Sequence, residues 1–212
     1  MMERSMPVLR NYIQKSSALP TTEPQFEGFR ANIIQLLFYL VGEMYKKPPN
    51  EFSGELDITC CTALLIYLLE NYQKRLPENV YAHVYEFSKI NFHKYKSKMM
   101  KSLTSQLVGM LLWLAPTQVL TLAHNDNNLD NMLKEVITHQ NKYELEHERA
   151  RVILGINSLF LLPEKPPTIM QKMLELFKTA MVLVKKNAEE RIDEEEHHGK
   201  GGSEDFEDDD DL

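Results

Sequence analysis

Several features that mark common protein classes are missing from this sequence of 212 residues. Its only two cysteines, Cys60 and Cys61, are adjacent, and neighbours on a helix cannot easily adopt disulfide geometry. No Asn-x-Ser/Thr acceptor or signal-peptide core is present, and no apolar run approaches the ~20 residues that span a bilayer. These absences favour a reduced, intracellular protein without a membrane partner.

Residues that carry chemistry are present, but they form no recognisable site. None of the seven histidines pairs with another at the i, i+4 spacing, with a glutamate between them, that is typical of zinc hydrolases. The run from Asp126 imitates a calcium loop, but Asn131 replaces the required glycine and Ile137 the required glutamate. No glycine-rich phosphate loop, nucleophile elbow or carboxylate pair occurs. We therefore assign no catalytic, cofactor-binding or metal-binding residue, expect no cofactor, and predict that the chain is not an enzyme.

Helical periodicity runs through most of the chain, and 43% of its residues are hydrophobic, enough for a continuous core. Between residues 81 and 122, two amphipathic patterns are joined by a short basic connector at 93–98, which predicts an antiparallel hairpin. No sustained alternation of period two predicts a strand, so the fold class is all-α. The predicted inward residues of this hairpin are Tyr81, Val84, Tyr85, Ser88, Phe92, Tyr95, Met99, Leu103, Leu107, Met110, Leu111 and Leu114.

Helix pairs recur at a spacing typical of a repeat protein. Hairpins are predicted at about 27–75, 79–115 and 126–162, and helices at 6–15 and 168–186 lack a hairpin partner. First members begin 52, 47 and 41 residues apart, closer to the ~40 to 47 residues of HEAT or armadillo repeats than to the ~34 of tetratricopeptide repeats. The spacing predicts a HEAT-type helical-hairpin solenoid, with an irregular helical bundle as the alternative. Because neither end has a capping unit, we expect the chain to be part of a longer superhelix. The predicted inward residues of the last helix include Ile169, Met173, Leu176, Phe177, Ala180 and Val184.

Acidic residues are concentrated at the C-terminal end. Residues 189–212 contain thirteen acidic and two basic residues, whereas residues 1–188 contain eighteen acidic and twenty-two basic ones. Such a segment cannot pack internally, so we predict a disordered tail that attracts basic partners through salt-sensitive, long-range forces. A tail that only keeps the protein soluble is the alternative. The residues assigned to the attraction of basic partners are Asp193, Glu194, Glu195, Glu196, Glu204, Asp205, Glu207, Asp208, Asp209, Asp210 and Asp211.

Two further features have plain structural explanations. The basic connector at 93–98, together with Lys101, has the composition of a phosphate-binding patch, but a solvated hairpin turn accounts for it. The small, scattered positive charge of residues 1–188 gives no basic stripe, so we expect no direct nucleic-acid partner. Trp113 lies in an apolar run and is predicted to be core, with an interface role as the alternative.

Four stretches carry a resemblance to a known family. They are MPVLRNYI at 6–13, SKMMKSLTSQLVGMLLWLAPTQVL at 97–120, RARVILGINSLFLLPEKPP at 149–167, and AMVLVKK at 180–186, which leads directly into the acidic stretch. In this order they resemble the C-terminal HEAT-repeat region of the importin-β (karyopherin) superfamily, in particular its importin seven/eight branch. The resemblance extends over nearly the whole chain, although each motif is loose.

The resemblance implies a nuclear transport receptor with an armadillo-type fold that shuttles between cytoplasm and nucleus. Its implied partners are basic cargo proteins, such as ribosomal proteins or histones, and Phe-Gly nucleoporins. Ran GTPase would bind only through N-terminal repeats that this chain lacks, and the family usually continues beyond its acidic stretch, whereas this sequence stops at Leu212. The alternative function is a HEAT-repeat scaffold or adaptor for protein–protein interaction, unrelated to transport.

Overall fold

The computed structural model describes residues 2–20, 22–46 and 52–200, with the side chains of 52–54 and 196–200 left aside. Within these ranges the chain is helical and contains no β-strand, which confirms the all-α class. The helices are α1 Met2–Ala18, α2 Pro24–Tyr45, α3 Phe52–Tyr72, α4 Glu78–Lys94, α5 Lys98–Leu114, α6 Pro116–Asn125, α7 Leu129–Thr138, α8 Glu146–Phe160 and α9 Pro167–Lys200, and short 3₁₀ turns lie at Gln73–Arg75 and Gln140–Lys142.

Local sequence explains where these helices begin. Proline opens α2, α6 and α9, where its fixed φ suits the first turn and its missing N–H costs no hydrogen bond. At the start of α5, the Ser97 hydroxyl accepts a hydrogen bond from the Met100 backbone N–H at 3.2 Å. At the start of α8, the Glu148 carboxylate accepts from the N–H groups of Glu144 and Leu145, at 2.8 and 3.1 Å. Asn127, at φ 51°, supplies the left-handed residue between α6 and α7.

The second members of the predicted hairpins pack side by side. α5 lies between α3 and α8, and α1 packs on the other side of α3, so these four helices form one row, which we call the inner row. The other helices flank it: α2 packs on α1 and α3, α4 on α5 and α6, and α9 on α8 and α7. Nearly every side chain of α5 is buried, which makes it the centre of the fold.

The helix bounds differ from expectation at three places. α1 begins at Met2 rather than near residue 6, so Pro7 lies inside it. Residues 116–125 form the complete helix α6, where only a short turn was expected. The third difference is that α9 continues to Lys200, whereas a disordered tail was predicted from residue 189; the disorder of that tail stays a prediction. The helices predicted to lack hairpin partners, α1 and α9, each pack against two neighbours.

Most predicted inward residues of the central hairpin are buried. Phe92 and Leu103 are half-buried, and Met99 is exposed because it lies in the first turn of α5, at an open cavity. In α9, Ile169, Leu176 and Ala180 are buried as predicted, but Phe177 and Val184 are exposed. The buried members of the hairpin set are Tyr81, Val84, Tyr85, Ser88, Tyr95, Leu107, Met110, Leu111 and Leu114.

Within the described ranges, no single helix is both long and apolar enough to cross a membrane. α5 and α6 reach that length and composition only together, and they are bent by 120° at their junction.

Candidate functional site

A groove runs over α5, between the walls formed by α3 and α8. It consists of three adjoining cavities of about 480, 310 and 290 Å³, and we call it the inner groove. Leu103 and Glu148 line both the first and second cavities, and Glu70, His147 and Arg151 line both the second and third, so the three are continuous. A recess of this size and length is suited to a polypeptide segment.

The middle of the inner groove is a hydrogen-bonded polar network that ties three helices together. Arg151 of α8 donates from Nε to Glu70 Oε1 on α3 and from Nη1 to Gln106 Oε1 on α5, both at 2.6 Å. The fully buried Gln106 in turn donates to Glu148 Oε1 at 3.0 Å. Because these groups satisfy one another, the network fixes the spacing of the inner row and presents mixed charge to a ligand.

The two ends of the inner groove carry its large apolar side chains, although Lys98, Lys142, Glu144 and Glu148 also line the first cavity. Met99 and Leu145, both about half exposed, lie at the first cavity with Leu103 beneath them. Trp113 lines the third cavity together with Leu154. Trp113 was expected in the core, but it is only half-buried and faces this cavity. Apolar ends around a polar middle provide anchoring positions for large side chains of a bound segment.

The acidic end of α9 carries three of the predicted site residues. Asp193, Glu194 and Glu195 follow one another on the exposed surface of the helix, and none pairs with a basic residue among those whose side chains are described. Glu196 lies on the same helix. The remaining predicted residues, Glu204, Asp205, Glu207, Asp208, Asp209, Asp210 and Asp211, fall outside the described residues.

Arg149 fixes this acidic end to the body. Its side chain is buried, with the residue only 1% exposed, and its Nη1 donates to the backbone carbonyls of Tyr143 and Glu144, at 3.3 and 2.8 Å. Its Nε donates to Asn187 Oδ1 and its Nη2 to the Glu190 carboxylate. A buried guanidinium needs such partners, so the part of α9 around residues 187–190 is held against the start of α8.

A second ion pair is formed by the next residue of α9. Arg191 donates from Nε to Glu146 Oε1 at 3.0 Å, and this hydrogen bond raises the pKa of Arg191. Glu146 follows Leu145, so the acidic end begins beside the first cavity of the inner groove.

Sequence reasoning missed Arg149, although its position had a signal: it is in helical phase with the inward residues Val152 and Ile156.

An apolar slot lies on the opposite side of the chain, where α6 meets the start of α9. Its volume is about 350 Å³, and we call it the outer slot. Leu120, Leu162, Pro166 and Pro167 supply its apolar surface, and Leu162 is half-buried. A slot of this size accommodates one large apolar side chain.

Among the residues that the structure describes, no group of three or more His, Cys, Asp or Glu has the geometry to hold a metal ion. Comparison of the chain with protein families, with curated proteins and with solved structures finds no match.

Proposed function

We propose that the helices in the described part of the chain are a stretch of HEAT-type repeats from a nuclear transport receptor of the importin kind, and that the chain binds basic cargo such as ribosomal proteins or histones. The packing of α2 on α3 and of α4 on α5, with α3, α5 and α8 side by side in the inner row, supports the repeat interpretation, whereas α7 packs mainly on α5, α6 and α9. Localisation in cytoplasm and nucleus, with shuttling between them, follows from the same proposal.

The observation that carries the proposal is the anchored acidic end of α9. Arg149 and Arg191 hold Glu190 and Glu146, and beyond these pairs Asp193, Glu194 and Glu195 point their charge into solvent. Successive acidic side chains on an exposed helix surface repel one another and concentrate negative potential there. A cationic ligand relieves this repulsion, which favours a basic partner over other classes.

The inner groove supports the same function. It begins beside the acidic end, so a basic segment drawn by the acids is delivered to the first cavity between Met99 and Leu145. Long-range attraction then sets the rate of encounter, and apolar side chains in the cavity supply much of the affinity. The outer slot is a candidate for the phenylalanine of a Phe-Gly repeat, which a transport receptor must contact.

The experiment is a titration of labelled linker histone with the full chain at low and moderate salt. Asp193→Asn/Glu194→Gln/Glu195→Gln removes three charges but leaves the Arg149 and Arg191 pairs intact. We expect this variant to bind at least tenfold more weakly at low salt, with a smaller salt dependence. The matched control, Glu23→Gln/Glu27→Gln/Glu78→Gln, removes the same charge from exposed positions elsewhere and should bind as the wild type does. Equal, salt-insensitive binding by all three proteins would remove the acidic end from the mechanism.

A scaffold unrelated to transport is the second candidate function. The long exposed apolar face of α9 favours it, because exposed apolar surfaces of this length mark sites of protein–protein interaction. The two candidates differ in the outer slot, because only a transport receptor requires binding of Phe-Gly repeats there.

A further inference from the structure

The exposed side of α9 carries an apolar stripe that other described elements leave largely uncovered, although the Phe177 ring lies edge-on to Phe160 of α8, with centroids 6.4 Å apart. Its large members are between 45% and 63% exposed, and successive members are three or four residues apart. At 1.5 Å per residue the stripe is roughly 33 Å long. We call it the α9 stripe; it consists of Met170, Leu174, Phe177, Met181, Val184, Ala188 and Ile192.

The spacing of the α9 stripe indicates a helical partner. The alternating steps of four and three residues from Met170 to Val184 average 3.5, which is the repeat of a coiled-coil seam. The helix already buries a different face, with Ile169, Leu176 and Leu183, against the body. The stripe is therefore a second seam. Residues 201–212 contain only two large apolar residues, Phe206 and Leu212, too few to cover it.

We propose that the α9 stripe pairs with the α9 stripe of a second copy of this chain, in antiparallel orientation. A two-fold axis near Thr179 places Phe177 of each copy against Met181 of the other, Leu174 against Val184, and Met170 against Ala188. This arrangement matches the apolar layers from Met170 to Ala188, as an antiparallel coiled coil requires, and leaves Ile192 beyond the paired segment.

The charge along α9 selects the antiparallel orientation. The acidic residues at 189–195 lie in two successive turns of the helix, where they repel one another. In the antiparallel pair they lie beside the N-terminal turn of α9 in the second copy, which begins at Pro167 and carries positive partial charge. In a parallel pair, the acidic turns at 189–195 of the two copies would lie side by side and repel each other.

One like-charge contact opposes the arrangement. Lys178 lies on the flank of the α9 stripe and is exposed, so the two-fold axis brings it near its copy. Exposed like charges repel weakly in salt, and the lysine side chain can turn into solvent. Replacement of this lysine by glutamine should therefore tighten the dimer slightly, a gain that no arrangement distant from α9 would give.

The test is sedimentation equilibrium of the full chain over a wide concentration range. The monomer mass is 24.7 kDa, and we expect the wild-type mass to rise towards twice that value and stop there. Phe177→Glu and Met181→Glu should weaken dimerisation at least tenfold, and Lys178→Gln should strengthen it two- to threefold. The control Val182→Glu alters an exposed residue of the same helix that lies off the α9 stripe, and it should leave dimerisation unchanged.

Orientation is tested by cross-linking. Chains carrying Leu174→Cys mixed with chains carrying Val184→Cys should form a disulfide-linked dimer, whereas either variant alone should not, and the wild type oxidised in parallel controls for Cys60 and Cys61. Circular dichroism checks that each variant is folded. A monomer at every concentration overturns the proposal and leaves the stripe to a helix of another protein. Efficient cross-linking of Leu174→Cys alone, or growth beyond a dimer, overturns it in favour of parallel or head-to-tail contact.

Discussion

Gly109 of α5 and Gly155 of α8 meet at the closest approach of the inner row. A β-carbon on Gly155 would lie 2.5 Å from the Gly109 carbonyl oxygen, and one on Gly109 would lie 2.7 Å from the Arg151 carbonyl oxygen. No side chain fits at either position. The two glycines therefore allow the most extensive helix contact of the fold, and that contact sets the depth of the inner groove.

Gly155→Ala should destabilise the chain, because the new methyl group would press on backbone that cannot move without separating α5 from α8. Overpacking of this kind costs about 1–3 kcal/mol of the free energy of unfolding. Gly28→Ala is the matched control, since nothing lies within 4 Å of an added β-carbon there and alanine is the better helix former; it should stabilise by up to ~1 kcal/mol. Urea denaturation of both variants measures the difference. Equal stability of Gly155→Ala and wild type would contradict the close contact.

Glu190→Gln should loosen the C-terminal half of α9, because the buried Arg149 guanidinium loses its charged partner. Loss of a charge-assisted hydrogen bond to a buried group costs about 1–3 kcal/mol. Glu194→Gln on the next turn removes the same charge from a residue without such a contact, and it should change stability by less than ~0.5 kcal/mol. Hydrogen exchange of the α9 amides and urea denaturation, measured for both variants, test these expectations. Identical exchange in the two variants would show that Arg149 does not anchor the helix.

The periodicity of the sequence was sufficient to find the helices but not their neighbours. Val84 and Leu107 each lie three or four residues from other apolar residues of the same helix. The 3.6-residue period alone therefore places them inward, and both are buried. In α9 two apolar faces are present, and periodicity cannot say which one the body covers, so Phe177 was assigned inward and lies outward. Composition predicted disorder from residue 189, because it counts charges and does not see that Arg149, far away in sequence, pairs with Glu190.

Acid should destabilise the chain through His139, which is buried beside Glu135 in α7. Burial lowers the pKa of His139, and the charge of Lys142 lowers it further, against the smaller opposing effect of Glu135. In the unfolded chain a histidine has a pKa of about 6.5, so below that pH the unfolded chain binds more protons at His139 than the folded chain does. The contribution of neutral His139 to the free energy of unfolding is therefore complete above about pH 6.5, and it is lost as the pH falls towards the pKa of His139 in the folded chain.

Replacement of His139 by glutamine should flatten this part of the pH profile. Free energies of unfolding measured in urea between about pH 7.5 and pH 5 give the slope for each protein. Glu135→Gln removes the group that raises the pKa of His139, so its loss of stability should extend to lower pH than in the wild type. A His139→Gln profile that follows the wild type would assign the acid sensitivity to other groups.

The outer slot gives the sharpest choice between a transport receptor and a scaffold. A Phe-Gly peptide should enter it with its phenylalanine against Leu120 and Leu162, since burying such a side chain contributes about 1.5–3 kcal/mol. That gain supports only weak binding, with a Kd on the order of 10 mM for a single repeat. NMR shifts of Thr121 and Leu162 on titration with the peptide report it. Leu162→Glu should abolish these shifts, whereas Leu161→Glu, a more exposed neighbour outside the slot, should preserve them. Another outcome is that the peptide causes no shift at the outer slot while the acidic end of α9 still binds linker histone. In that case the chain binds basic ligands without contacting Phe-Gly repeats there, and the scaffold function is favoured over the transport receptor.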